Sequence, residues 1–152
     1  MPNWMEGTLK LRGDYEKIRQ FFMEGLDQSA GIFENAPIRC FVTDFSGKGY
    51  TNLAFDNSPH IRDTSRAFIT GKEVYFEPGM IACIEIKQAW DFAVTEWIEI
   101  SKKYGVDIRL FGFEMGYEFC REIEVAKGKL TIYKKITYSD YQWECPMPTL
   151  GG

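Results

Sequence analysis

The chain has 152 residues, of which 45% are hydrophobic and 26% charged, with a formal net charge of −4. That length supports one domain with its own core, and that balance excludes extensive disorder. The mild acidic excess disfavours indiscriminate binding to phosphates, and no run reaches the roughly 18 apolar residues of a membrane-spanning helix.

In chain order, "TLKLR" from Thr8 to Arg12 alternates with Leu9 and Leu11 on one face and predicts a strand. Asp14 then starts a helix whose Ile18, Phe21, Phe22 and Leu26 recur at helical spacing, limited by Gly25. Residues 27 to 37 read as a loop, followed by a second alternating strand, Ile38 to Thr43. The stretch from 44 to 65 carries Gly47, Gly49, Asn57 and Pro59, turn chemistry that predicts a long excursion with at most short strands. "RAFIT" and "EVYF" flank Gly71 and suggest a hairpin. "MIACIEIK" from Met80 to Lys87 is the clearest middle strand, with Met80, Ala82, Ile84 and Ile86 on an apolar face. It leads into a helix over 89 to 104, in which Trp90, Ala93, Val94, Trp97 and Tyr104 share a stripe and Gly105 closes the end. Three further strands follow as a meander, the last two joined by a turn at Lys127-Gly128. The sequence therefore predicts one domain over 1–139 and an irregular tail over 140–152. Strands with two helices between them imply an α+β fold, a mostly antiparallel sheet with both helices on one face, of the ferredoxin-like sandwich type.

"RLFGFEMGYEF" from Arg109 to Phe119 matches half of the strand signature of RNA-recognition domains. Arg109, Phe111, Gly112 and Phe113 fit, whereas Leu110, Glu114 and Gly116 depart from it. Alternation puts Arg109, Phe111 and Phe113 on one face, and Lys129, Thr131, Tyr133 and Lys135 on one face of a later strand. With Tyr117 these form a candidate binding face. Two placements stay open. The faces point away from the helices and serve a protein or stacked bases, or Phe111 and Phe113 lie in the core with Val106, Ile108 and Leu110 facing out.

Catalytic and metal patterns are missing from the sequence. Cys40, Cys83, Cys120 and Cys145 are widely spaced and, with His60 as the single histidine, make no zinc-ligand pattern, so reduced thiols and no metal or cofactor are expected. Glu122 and Glu124 share a strand face, as acid–base or cation-binding carboxylates do, but a solvated face explains them equally. "SGKG" at 46–49 is too short for a phosphate-binding loop. A non-enzymatic role is expected, and the aromatic content of 16% exceeds what a core of this size needs, which points to rings on an interaction surface.

The start "MPNW", the strand "GTLKLRG" and the helix "DYEKIRQFF", together with the "AW" dipeptide before the second helix and the aromatic strand after it, resemble the YubB-type proteins of phages and conjugative plasmids. The resemblance implies a cytoplasmic product of a mobile element with a ferredoxin-like domain. It supplies no catalytic residues. The function expected from it is binding and blocking a host or phage protein, including a host-defence component such as CRISPR. Single-stranded nucleic-acid binding through the aromatic and basic face is the alternative. A homodimer through an edge strand or an open face of the sheet is compatible with either.

Overall fold

In a computed structural model describing residues 1–27, 31–33, 36–38 and 40–152, with backbone alone at 31–33 and 36–38, β1 (Trp4–Arg12) runs through the middle of the main sheet. Met5, Gly7, Leu9 and Leu11 of β1 face the core, and Glu6, Thr8, Lys10 and Arg12 face the other way. β1 pairs antiparallel with β10 (Ala82–Ala89) on one side and β11 (Asp107–Glu114) on the other. Beyond β11 lie β12 (Phe119–Ala126) and β13 (Lys129–Thr137); beyond β10 lie β8 (Ala67–Ile69), β7 (His60–Ile61) and β2 (Leu26–Asp27). β10 and β11 are thus parallel to each other across β1, and α2 (Val94–Tyr104) makes the crossover between them.

Asp14 caps α1 (Tyr15–Glu24) by accepting from the Glu16 amide at 3.0 Å. Ile18, Phe21 and Phe22 form its buried face. Phe21 meets Tyr104 of α2 edge-on at 5.5 Å, while Phe22 lies 5.9 Å from Phe55 and 5.7 Å from Phe76. Those last two belong to a second sheet of three strands, β5 (Phe41–Asp44), β6 (Thr51–Asp56) and β9 (Glu73–Phe76), which closes over α1. A separate two-stranded pairing joins β3 (Gly31–Phe33) and β4 (Ala36–Ile38). Burying each of Phe21, Phe22 and Trp97 contributes about 2–3 kcal/mol, so the core lies where the helices meet both sheets.

The expected α+β ferredoxin-like sandwich, with two helices on one face of a sheet, is corrected by this architecture. Among the described residues the chain is mostly sheet, 46% strand against 18% helix, with an eight-stranded antiparallel sheet, a three-stranded sheet and three helices. The difference arises from residues 41–76, where turn residues flank a six-residue strand whose Leu53 and Phe55 are buried. "RAFIT" and "EVYF" do not pair with each other. The Thr70 and Gly71 amides both donate to the Glu85 carbonyl, at 2.9 and 3.0 Å, and the chain then leaves the main sheet for the second one. Of the predicted second strand, 38–43, residues 38 and 41–43 fall in β4 and β5, and Arg39 lies outside the described residues.

α2 begins at Val94 rather than near 89, because Gln88, 1% exposed, takes over its first turn. Gln88 Oε1 accepts from the Ala93 amide at 3.1 Å and from Trp97 Nε1 at 3.0 Å, while Nε2 donates to Glu96 Oε2 at 2.9 Å. After β13 the chain crosses the face of the main sheet opposite the helices. There α3 (Tyr141–Glu144) and Cys145 form a small second core with Cys120, Phe111, Phe113, Ile136 and Tyr138. The Gly152 amide donates to the Trp4 carbonyl at 2.9 Å.

Candidate interaction surface

In antiparallel pairing, residues directly opposite share a face, so the register assigns each predicted site residue to a side. Thr8, Phe111, Glu122 and Lys134 form one cross-strand row, and Lys10, Arg109 and Glu124 form the next. Arg109, Phe111 and Phe113 therefore point away from the helices, and Ile108 and Leu110 are the core residues of β11. The placement of Phe111 and Phe113 in the core beneath the helices is thereby corrected. Their rings lie 5.2 Å apart, half-buried against the tail. Gly112 supports this arrangement from the core side, since a Cβ there would fall 2.5 Å from Met5 Sδ and 2.6 Å from Phe92 Cε2.

Arg109 is held between two carboxylates, with Nη1 3.2 Å from Glu124 Oε2 and Nη2 on Glu122 Oε1. Arg12 pairs with Asp107 at 3.0 Å. These groups line a groove of about 470 Å³ in which Lys10, Arg12 and Arg109 are balanced by Asp107, Glu122 and Glu124. A groove so balanced offers phosphates no net attraction, and its carboxylates already serve as acceptors for Arg109. Among the described residues, no group of three or more His, Cys, Asp or Glu side chains is arranged to hold a metal ion.

The expected common platform is split by a β-bulge. Glu124 faces Ile132 while Val125 faces Leu130, so Thr131 is the extra residue, its Oγ1 donating to Glu124 Oε1 at 2.8 Å. An extra residue reverses the alternation. Lys129, opposite Ala126, stays on the face of Arg109, whereas Tyr133 and Lys135, opposite Ile123 and Arg121, turn to the helix side.

On that helix side a cation–aromatic ladder runs to the sheet edge. Asp91 holds Arg121 through Nη2 at 2.6 Å and Nε at 3.1 Å. The Arg121 guanidinium lies 4.7 Å from the Tyr133 ring centre and 5.6 Å from that of Phe119, and Lys135 Nζ lies 4.6 Å from Phe119. Sequence reasoning missed Phe119, Arg121 and Asp91 as partners because the contact between 91 and 121 spans two strands, β1 and β11, and joins residues 30 apart in the chain.

Trp90 precedes Asp91 with φ of 69°, and its side chain is 57% exposed. Its amide donates to the Asn3 carbonyl at 2.7 Å, and Asn3 in turn abuts Gly116 in the β11–β12 turn. Glu114, fully buried, fixes that turn by accepting from the Gly116 and Tyr117 amides, each at 2.8 Å. Met115 and Tyr117 are left exposed beside it, Tyr117 at 73%. Trp90, Met115 and Tyr117 thus share one end of the sheet, and the hydrogen bonds that Arg121 donates to Asp91 carry this surface round to Tyr133. Trp90 was assigned to the helical stripe because its spacing to Val94 and Trp97 is helical; nothing in the local sequence marks the positive φ.

His60 lies apart from this surface. Its Nδ1 is 2.9 Å from Asp27 Oδ2 and its Nε2 is 3.0 Å from the Thr64 carbonyl, which ties β2 to β7. The hydrogen bond from His60, with the charge of Arg62, holds the Asp27 carboxyl below its usual range.

No protein-family model, no curated protein and no solved structure matches the chain.

Proposed function

We propose that the protein is a non-enzymatic binding protein that engages a partner protein through the surface of Trp90, Met115, Tyr117 and Tyr133. Trp90 is the observation that carries this reading. A bulky residue at positive φ costs about 1–2 kcal/mol, and a tryptophan more exposed than buried recovers little of that through packing. Binding supplies the missing reason, because tryptophan, tyrosine and arginine are the side chains that dominate interface energetics. The consumption of Glu122 and Glu124 by Arg109 supports binding over acid–base chemistry.

The test is affinity capture from nuclease-treated bacterial lysate with the wild-type chain and with Trp90→Ala. A partner held by the wild type and reduced about tenfold by the substitution supports the reading, a hot-spot loss of about 1.4 kcal/mol or more. Equal capture by both would move the interface elsewhere, and no captured protein would remove the reading. The narrower function, blocking a host-defence component for a mobile element, is supported by the family resemblance of the sequence alone. It is tested by whether the gene restores plaque formation on cells carrying CRISPR immunity.

A further inference from the structure

We infer that β13 is a docking strand, to which an extended acidic segment of a partner protein adds by main-chain hydrogen bonding. This rests on the binding reading above and names the chemistry of its partner. β13 is nine residues long and is the outermost strand of the main sheet. Among the described residues, no strand or loop pairs with its outer side. Such an edge presents unused amides and carbonyls in the spacing of another strand.

Charge selects the occupant. Lys129, Lys134 and Lys135 project from β13, and no ion pair engages them among the described residues; Glu122, directly opposite Lys134, is held by Arg109, as is Glu124. A second copy of the chain would bring both sets of lysines into one seam, which like-charge repulsion opposes. Acidic side chains of an added strand satisfy Lys129 and Lys134 on one face of the sheet, and Lys135 lies on the other face beside Tyr133. On the helix side the added strand would lie beside the exposed Tyr133 ring, contiguous with Arg121, Asp91 and Trp90. Nucleic acid fits less well, because it uses none of the edge amides and the adjoining groove is charge-balanced.

The probe is a labelled, end-blocked nonapeptide of alternating glutamate and valine, measured by fluorescence anisotropy and amide hydrogen exchange at low salt. Three comparisons accompany it: the same peptide with alternate amides N-methylated, a lysine–valine counterpart, and a thymidine oligonucleotide. The expected result is binding of the acidic peptide with new exchange protection in β13, and loss of binding on N-methylation. Charge reversal of the exposed lysines, Lys129→Glu, Lys134→Glu and Lys135→Glu together, weakens binding about tenfold or more. Equal binding of the N-methylated peptide, protection elsewhere than β13, tighter binding of the oligonucleotide, or a dimer already protecting β13 would each overturn the inference. So would no binding of the acidic peptide. If the peptide fails while the capture dependent on Trp90 persists, only the docking strand falls; if both fail, the binding reading falls with it.

Discussion

Arg19 Nη2 on α1 lies 2.6 Å from Asp44 Oδ2 at the end of β5, an ion pair that fastens the second sheet to the helix beneath it. Arg19 Nη1 also donates to Ser46 Oγ at 2.7 Å, and Tyr15 shares a hydrogen bond with Thr51 at 2.6 Å. The bond from Arg19, followed by that from Ser46, holds the Asp44 carboxyl down to about 2. A carboxyl depressed in the folded state stabilises it fully above its unfolded value, near 4, and loses that contribution as pH falls through the folded value. The second sheet should therefore loosen between about pH 4 and pH 2. Amide chemical shifts of β5 and β6 followed through an acid titration would report it. Asp44→Asn should remove that step while lowering stability at neutral pH; an unchanged acid profile in the variant would contradict the assignment.

Gly7 and Gly112 stand opposite each other in β1 and β11. A Cβ on Gly7 would lie 1.8 Å from the Phe111 carbonyl oxygen, a backbone atom that cannot rotate away. Gly7→Ala should cost about 3 kcal/mol or prevent folding, at the upper end for overpacking. Gly112→Ala meets side chains of Met5 and Phe92 instead, which can adjust, and should cost less. Chemical denaturation of both variants gives the order, and the reverse order would refute the register.

The thiols should react in the order of their exposure. Cys83 is exposed on β10, Cys40 is half-buried with its Sγ donating to the Asn57 carbonyl at 3.1 Å, and Cys120 and Cys145 are buried with their sulfurs 3.8 Å apart. Burial pushes the Cys120 thiol up to about 11, and the thiolate is the reactive form. Timed alkylation read by peptide mass spectrometry should label Cys83 first and Cys120 and Cys145 last. Early labelling of Cys145 would mean that the tail does not stay packed on the sheet.

Much of the main sheet was legible in the sequence. The alternation of β1, the cap and apolar stripe of α1, the inward Ala82, Ile84 and Ile86 of β10 and the Lys127-Gly128 turn all follow from local chemistry, whereas Met80, expected on that apolar face, precedes the strand and is exposed. Both turn residues have positive φ, 53° and 71°, as a tight hairpin requires. The faces of β11 were not legible, because both sides of that strand are covered. Ile108 and Leu110 meet the helices while Phe111 and Phe113 meet the tail, so the strand is hydrophobic on both faces and its alternation carries no direction. The bulge at Thr131 was equally silent, and with it the separation of Lys129 from Tyr133 and Lys135. Of the second sheet, β9 and most of β5 were expected as strands, but their pairing went unread because the strand between them, β6, with only Leu53 and Phe55 as large inward residues, sits among Gly, Asn and Asp that by themselves signal loops.

Trp90 offers a separation of stability from binding. Glycine adopts its φ of 69° without strain and keeps the amide that donates to Asn3, so Trp90→Gly regains about 1 kcal/mol of backbone strain. The ring is 57% exposed, so removing it forfeits roughly the same amount of apolar burial. The two changes nearly cancel, and the melting temperature should stay within a few degrees of the wild type. Trp90→Val, which adds β-branching at positive φ, should instead be destabilised. Both variants should lose partner capture alike. If Trp90→Gly were destabilised as severely as Trp97→Ala, whose ring is fully buried, the Trp90 ring would be a packing residue and its exposed face would need no partner to explain it.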